Sequence, residues 1–160
     1  MDIRIGNGYD THPLVDGETL ILGGVSIDHY KGTKGHSDGD VLIHAIMDSL
    51  LGAANLGDIG KYFPSNSIDY KNISSLVLLE KVNEMLHKQS YSILNIDSTI
   101  VLQKPMLKDY ISLMKKQIDK ILLIGIDRIS IKATTNDKLG FIGEEKGISV
   151  ISTALLKKDI

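Results

Sequence analysis

Residues 40–54 form the segment that most constrains how this chain can fold. Within them the apolar side chains run nearly all the way round a predicted helix, rather than along a single face. A helix of that kind is buried, because no side of it is polar enough to face water. Predicted strands and further helices interleave along the rest of the chain. The sequence therefore predicts a layered α/β or α+β domain with this helix in its interior.

The remaining elements are predicted from hydrophobic periodicity and from the glycines and prolines that interrupt it. Further helices are expected at Ile73–Gln89 and Leu107–Ile124. Strands are expected at Ile3–Asp10, Thr19–Leu22, Tyr91–Gln103, Arg128–Thr135 and Ile148–Leu156, the last of which also fits a helix at its end. In the longest strand one face carries Leu94, Ile96, Ile100 and Leu102, with Ser98 as the single interruption. No linker, repeat or low-complexity tract divides the chain, so residues 1–160 are interpreted as one domain.

Composition excludes several classes of function. The 160 residues include no cysteine, which excludes disulfides, thiolate catalysis and cysteine-ligated zinc. A net charge of -2 and a pI of about 6.2 argue against a nucleic-acid-binding protein, which normally carries a basic face. No apolar run approaches the roughly 18 residues of a membrane span, and residues 1–4 lack the apolar core of a signal peptide. We therefore expect a cytoplasmic protein with neither a membrane nor a nucleic acid as partner.

Histidine and aspartate crowd into the first third of the chain. Four of the five histidines and eight of the 15 aspartates lie in residues 1–60. Asp10 and His12 stand two residues apart, and Pro13 favours extended backbone at His12, so the two side chains point the same way. Together with His44 from the buried helix they make a set of two nitrogens and one oxygen. With one position left open, such a set is typical of a catalytic zinc site.

Structural interpretations of the same residues stay open at this point. His44 also fits a hydrogen-bonded histidine on an apolar helix, and an Asp-x-His pair such as Asp10 and His12 is common by chance. Asp38 and Asp40 fit a helix N-cap and a first-turn acid, which stabilise the helix dipole without any ligand.

Two polar loops carry the next candidates. Residues 56–64 follow the buried helix, and their glycines are typical of a C-cap and turn. Residues 132–141 leave a strand; their hydroxyls and backbone N–H groups suit phosphate oxygens, and Asp137 suits a hard cation such as magnesium. An Asx or ST turn is the alternative for this loop. Because the only arginines are Arg4 and Arg128, phosphate binding would depend on metal, lysine and backbone more than on arginine.

Taken in order, these segments resemble the 2-C-methyl-D-erythritol 2,4-cyclodiphosphate synthase family. The resemblance covers essentially the whole chain, and each motif is short, but their order and spacing together are specific. The motifs are Arg4-Ile5-Gly6-Asn7-Gly8-Tyr9-Asp10-Thr11-His12, Leu22-Gly23-Gly24-Val25, His36-Ser37-Asp38-Gly39-Asp40-Val41, His44-Ala45, Leu50-Leu51-Gly52-Ala53-Ala54, Gly57 to Pro64, Lys132-Ala133-Thr134-Thr135 and Lys138-Leu139-Gly140-Phe141.

The resemblance implies an enzyme of the non-mevalonate isoprenoid pathway. Its substrate would be 4-diphosphocytidyl-2-C-methyl-D-erythritol 2-phosphate, a small molecule linked to cytidine diphosphate. The 2-phosphate attacks the β-phosphorus, CMP leaves, and 2-C-methyl-D-erythritol 2,4-cyclodiphosphate forms. The reaction is an intramolecular phosphoryl transfer, which makes the enzyme a phosphorus-oxygen lyase.

The resemblance also implies roles for individual residues. Asp10, His12 and His44 would hold zinc, and Asp137 would meet a magnesium or manganese ion that bridges the substrate phosphates. His36 and Thr135 match the catalytic positions. The substrate-binding positions are Asp10, His12, His36, Ser37, Asp58, Ile59, Gly60, Phe63, Pro64, Ser65, Asn66, Ser67, Leu102, Gln103, Lys104, Pro105, Met106, Leu107, Thr134, Thr135, Asn136, Asp137 and Phe141.

The resemblance implies an α+β sandwich, ferredoxin-like or chorismate-mutase-like, with a mixed β-sheet and helices packed on one face. The resemblance further implies a homotrimer with active sites at the subunit interfaces. Two other functions remain as alternatives: a metal-dependent phosphohydrolase that uses a metal-bound water, and a non-catalytic trimeric module that binds metal or nucleotide.

Overall fold

The computed structural model describes residues 2–159. Its strands are β1 Asp2–Asp16, β2 Leu20–Leu22, β3 Val25–Ile27, β4 Lys31–Thr33, β5 Tyr91–Val101, β6 Ile129–Thr134 and β7 Gly147–Lys158. Its helices are α1 Val41–Ala53, α2 Ile59–Tyr62, α3 Ser75–Lys88, α4 Ile111–Leu122 and α5 Gly140–Gly143, and short 3-10 turns occupy Ile68–Tyr70 and Ile126–Arg128.

Five strands form one mixed sheet in the order β4-β1-β7-β5-β6. β7 lies at the centre and runs antiparallel to both β1 and β5, whereas β6 runs parallel to β5. β2 and β3 form a separate hairpin. α1 packs against β1 and β7, α3 packs against α1, α4 and β5, and α4 packs against β6. The expected α+β fold with a mixed sheet is confirmed.

Helix α1 is buried on nearly every side, as its apolar pattern predicts. Within it only Asp48 and Gly52 are not buried. Asp40 caps its start by accepting a 3.1 Å hydrogen bond from the backbone N–H of Ile43. The same carboxylate accepts the backbone N–H groups of the two glycines between β2 and β3, at 3.0 and 2.7 Å. Of the two acids expected at the start of this helix, Asp40 is the N-cap and neither lies in the first turn. Burial raises the pKa of the Asp40 carboxyl to about 6.

Strand β1 continues well beyond the predicted end at Asp10. Gly6 and Gly8 lie within the strand instead of breaking it, and their missing side chains let α1 approach closely. A Cβ added to Gly6 would lie 2.0 Å from the backbone oxygen of Ser49, and one added to Gly8 would lie 2.0 Å from that of Ala45. Helix α1 therefore lies directly on the backbone of β1.

The face predicted for Leu94 is wrong, because a β-bulge interrupts β5. The pairing with β7 slips at this residue, so Ile93 and Ile96 are both buried while Leu94 is only partly covered. Ser98 is fully buried, and its hydroxyl donates a 3.0 Å hydrogen bond to Ser152 on β7. A pattern with a period of two cannot reveal a bulge, since the extra residue shifts the alternation without changing residue types.

Other element ends also differ from the expectation. β5 ends at Val101 and α4 begins at Ile111, so most of the intervening segment is irregular rather than strand end and helix start. β7 remains a strand as far as Lys158, and the helical alternative for its end is wrong. Within residues 2–159, none of the helices has the length and hydropathy that a membrane span requires.

The contact of α1 with β1 can be tested with Gly8→Ala. The added methyl group would enter space held by the backbone of Ala45, so strand and helix must separate. We expect the free energy of unfolding, measured by urea denaturation, to fall by at least about 2 kcal/mol.

Gly52→Ala is the matched control. It makes the same change in α1 itself, at an exposed position where the nearest atom to the new Cβ is 3.9 Å away. Alanine is the better helix former, so the free energy of unfolding should rise by about 0.5–1 kcal/mol. Equal stability of the two variants would contradict the close packing described above.

Candidate active site

Asp10, His12 and His44 are brought together where β1 meets α1. Asp10 and His12 lie two residues apart on β1 and share one face of the strand, while His44 lies in the first turn of α1. One oxygen of Asp10, Oδ2, lies 3.0 Å from Nε2 of His12 and 3.1 Å from Nδ1 of His44. One potential ligand atom from each residue lies within 4.8 Å of the other two. Over residues 2–159 this is the one group of three or more His, Cys, Asp or Glu residues that meets this test.

Electrostatics couple the three groups. Burial alone would raise the pKa of Asp10, but hydrogen bonds and charge interactions with His12 and His44 outweigh it and hold the pKa below its ordinary value. Burial disfavours the charged form of His12, yet the hydrogen bond and charge of Asp10 raise its pKa overall. The negative charge of Asp10 thus favours a positive charge in the space between the two imidazoles.

The outer hydrogen bonds of the two histidines show that this space suits a cation. Nδ1 of His12 lies 3.0 Å from the backbone oxygen of Lys34, which can only accept, so Nδ1 carries the hydrogen. In the neutral ring, the lone pair of Nε2 then faces Asp10. On His44, Nε2 faces the hydroxyls of Ser37 and Ser75 at 3.0 and 3.1 Å, while Nδ1 faces Asp10. Two imidazole nitrogens, whose rings are each held by an outer hydrogen bond, and a carboxylate fit a divalent cation such as zinc.

A cavity of about 230 Å³, the histidine cavity, opens above this cluster. It is lined by predicted site residues from β1, from α1 and from the loops before and after α1, namely Asp10, His12, His36, Ser37, His44, Ile59, Gly60, Phe63 and Ser65. The remaining predicted residues of that loop, Asp58, Pro64, Asn66 and Ser67, do not line it. Sequence reasoning missed three lining residues, Met47, Tyr70 and Leu78. Of these only Met47 could have been predicted from the sequence, because a residue three positions after His44 lies on the same face of the helix.

Hydrogen bonds hold the loop of the histidine cavity in place. Asp48, one turn beyond His44 on α1, accepts the backbone N–H of Ile59 at 2.8 Å. Asp58 caps α2, and Nε2 of His36 donates a 2.7 Å hydrogen bond to the backbone oxygen of Ser67. Both ends of residues 58–67 are therefore fixed beside Asp10, His12 and His44, the three residues that we call the metal cluster.

A second cavity, of about 340 Å³, lies where β5 and β6 end, and we call it the strand-end cavity. It is lined by predicted site residues from both strand ends, namely Leu102, Gln103, Pro105, Met106, Leu107, Thr134 and Thr135. Lys108, Ile111 and Ala133 complete the lining and were not predicted. The parallel pairing of β5 with β6 brings these two segments side by side. Predicted residues that do not line it are Lys104, Asn136, Asp137 and Phe141.

Asp137 lies apart from the three-residue cluster. It is exposed, has a left-handed backbone with φ of 50°, and its backbone N–H lies 3.4 Å from the hydroxyl oxygen of Thr135. The two cavities share no lining residue. Within one chain the predicted site residues thus fall into two groups, one around the metal cluster and one at the strand ends.

Comparison with known proteins decides the family. Residues 3–157 match the sequence model of the YgbB family. The chain belongs to the YgbB family. It is 56% identical over 154 residues to the 2-C-methyl-D-erythritol 2,4-cyclodiphosphate synthase of Clostridium botulinum (strain Okra / Type B1), a match that covers 96% of this chain and 99% of that protein. The resemblance found in the sequence is confirmed.

Solved structures of similar chains share the fold of this YgbB protein. A structure of the bifunctional IspDF from Campylobacter jejuni matches with a TM-score of 0.95 and 41% identity, over 99% of this chain and 43% of the bifunctional one. A structure described as an IspF (Plasmodium falciparum) CDP complex matches with a TM-score of 0.85 and 38% identity, over 98% of this chain and 97% of that one.

The metal cluster can be tested by removing His44. We expect the purified wild-type protein to hold one zinc ion per chain, measured by metal analysis after dialysis. His44→Ala should hold less than about a tenth of that, because two remaining ligands bind zinc far more weakly than three. A full complement of zinc in His44→Ala would contradict the site.

His87→Ala is the matched control for this test. His87 is an exposed histidine near the end of α3 and belongs to neither cavity. This variant should keep the wild-type zinc content, which shows that loss of zinc is specific to the cluster.

Proposed function

We propose that this chain converts 4-diphosphocytidyl-2-C-methyl-D-erythritol 2-phosphate to 2-C-methyl-D-erythritol 2,4-cyclodiphosphate and CMP. The observation that carries the proposal is the convergence of Asp10, His12 and His44 on one point at the floor of the histidine cavity. Family membership supports the same reaction, since the Clostridium botulinum relative is named for its product. The chain is thus a cyclodiphosphate synthase of the non-mevalonate isoprenoid pathway.

For this reaction the protein must align the two phosphate groups of the substrate and neutralise their charge; it needs to supply little covalent chemistry. An oxygen of the 2-phosphate attacks the β-phosphorus, the bond from that phosphorus to the oxygen it shares with the α-phosphorus breaks, and CMP leaves with the electron pair. The nucleophile is already ionised, so a general base is not required. Because nucleophile and electrophile belong to one molecule, the main task is to hold the substrate in a curled conformation.

Zinc held by Asp10, His12 and His44 and a magnesium or manganese ion met by Asp137 would polarise phosphate oxygens and offset their negative charge. The chain's own residues bind and orient the substrate. His36, on the wall of the histidine cavity, and Thr135, directly after the end of β6, position the phosphates. With two arginines in the whole chain, hydroxyls, lysine and metal ions carry the contacts that arginine supplies in many phosphate sites.

The strand-end cavity suits the cytidine part of the substrate. Its lining is mostly apolar, with Leu102, Leu107 and Ile111 beside the backbone and hydroxyl groups of Thr134 and Thr135. Such a lining provides a surface for a flat base and a few polar groups for its edge. The CDP complex of the similar Plasmodium falciparum protein supports a cytidine nucleotide as part of the substrate.

The subunit, a ferredoxin-like or chorismate-mutase-like sandwich of residues 1–160, would work as a homotrimer with active sites at the subunit interfaces. Two observations support this assembly. The metal cluster and the strand-end cavity have no lining residue in common, so a partner can supply the second half of each site. On the sheet face opposite α1, Ile5, Tyr9 and Ile151 are 72%, 56% and 46% exposed, which makes an apolar surface suited to a partner copy.

The reaction can be tested with purified protein, zinc, magnesium and the cytidyl substrate in water labelled with heavy oxygen. We expect equal amounts of CMP and cyclodiphosphate, without label in either phosphate, because the nucleophile belongs to the substrate. Labelled product would support the metal-dependent phosphohydrolase instead. Absence of turnover with both metals at saturation would support the non-catalytic binding module.

The interface site can be tested by mixing two inactive variants. His44→Ala removes the metal half of a site, and Thr135→Ala removes the strand-end half. In randomly mixed trimers about a quarter of interface sites combine two intact halves, so about a quarter of wild-type turnover should return.

A mixture of His44→Ala with His12→Ala is the matched control. Both changes damage the metal half, so no site is intact in any mixed trimer and no turnover should return. If the first mixture also stays inactive while mixed trimers are shown to form, each active site lies within one chain.

A further inference from the structure

Asp38 and Ser75 lie on the side of His44 that faces away from Asp10. Neither is a predicted site residue, and neither lines the histidine cavity or the strand-end cavity. Ser75 is the first residue of α3, is fully buried, and places its hydroxyl oxygen 3.1 Å from Nε2 of His44. Asp38, in the loop before α1, accepts two hydrogen bonds from Ser75. One comes from the backbone N–H at 2.9 Å and the other from the hydroxyl. A chain of contacts thus runs from Asp38 through Ser75 to the outer nitrogen of His44.

The chemistry of these groups sets the direction of each hydrogen bond. An ionised carboxylate can only accept, so the hydroxyl hydrogen of Ser75 points to Asp38. The oxygen of Ser75 therefore presents a lone pair to His44, and Nε2 of His44 must donate to it. In the neutral ring Nδ1 is then the nitrogen without a hydrogen. It lies 3.1 Å from Asp10, a second acceptor, and a cation between the two would satisfy both. The ring with hydrogen on Nε2 is the tautomer that a metal ligand at Nδ1 requires.

Asp38 is itself held firmly enough to fix this direction. Its backbone N–H donates to the backbone oxygen of Ile73 at 3.1 Å, and its carboxylate accepts the backbone N–H of Asp40 at 3.2 Å. Ser37 also lies 3.0 Å from Nε2 of His44, but its other contact is the hydroxyl of Ser75 at 3.5 Å, so no carboxylate fixes the direction of the Ser37 hydroxyl. Among these partners Ser75 alone has its hydroxyl hydrogen committed to a carboxylate.

We propose that Asp38 and Ser75 are positioning residues that hold His44 in the tautomer with hydrogen on Nε2, so that Nδ1 is ready to bind the metal. This role rests on the metal centre proposed above. A carboxylate that orients a metal-binding histidine usually contacts the ring directly, and here a serine hydroxyl relays its effect.

The proposal is tested on the full-length chain with zinc alone as the probe. Zinc affinity is measured by competition with a chelator, and the His44 tautomer by nitrogen NMR of the zinc-free protein at mildly alkaline pH, where free imidazole is neutral. We expect wild-type His44 to carry more of its hydrogen on Nε2 than His44 of Ser75→Ala does, because Asp10 accepts a hydrogen from Nδ1 once the relay is removed. In Ser75→Ala we expect both tautomers and zinc affinity weaker by about 10- to 100-fold.

Ser74→Ala is the matched control for loss of structure. Ser74 is the exposed N-cap of α3, and its hydroxyl accepts the backbone N–H of Leu76 rather than contacting His44. This variant should lower the melting temperature but leave the tautomer and the zinc affinity of the wild type. A Ser75→Ala variant that behaves in the same way, with zinc affinity within twofold of wild type, would overturn the proposal.

Asp38→Asn keeps the proposal testable if Ser75→Ala does not fold. An amide oxygen can still accept the backbone N–H of Ser75, and the amide nitrogen then donates to the hydroxyl and reverses its direction. We expect His44 to shift toward hydrogen on Nδ1 and zinc affinity to fall. An unchanged tautomer in Asp38→Asn would overturn the relay. Failure of the wild-type protein to bind zinc would instead overturn the metal centre itself.

Discussion

The direct contact of α1 with the backbone of β1 is the constraint on which the rest of the molecule depends. Two residues of a strand advance about 6.7 Å and four residues of a helix about 6 Å, so the two elements stay nearly in step. Gly6 lies against Ser49 and Gly8 lies against Ala45, so Asp10, the next residue on that face, lies beside the first turn of α1, where it meets His44. Close packing of α1 on β1 thus places the carboxylate of Asp10 and the imidazole of His44 side by side, and both residues belong to regular elements rather than to loops.

The centre formed in this way organises the segments around it. Its outer hydrogen bonds reach the backbone oxygen of Lys34, the hydroxyl of Ser75 and, through that hydroxyl, Asp38. These contacts connect the end of β4, the loop before α1 and the start of α3. Asp48 extends the same arrangement by holding the start of α2. A metal ion bound at this centre would therefore stabilise the walls of the histidine cavity as well as polarise the substrate.

Much of the fold and the centre of the site could be predicted from sequence, because each rests on a local pattern. The all-round apolar helix, the two-residue spacing of Asp10 and His12, and an N-cap at one of Asp38 and Asp40 are of this kind. The bulge at Leu94 leaves no trace in residue type, and Ser75 meets His44 only through tertiary packing. Separation of the two cavities could not be predicted either, since it depends on where strands end in space.

A crystal structure of the full chain grown with zinc, with anomalous scattering recorded on both sides of the zinc absorption edge, tests the central claim most directly. The account predicts one strong zinc peak per chain, about 2.0–2.2 Å from Nε2 of His12, Nδ1 of His44 and a carboxylate oxygen of Asp10, with a fourth position open to the histidine cavity. A chain without a peak at this point, or with zinc held through Nε2 of His44, would contradict it.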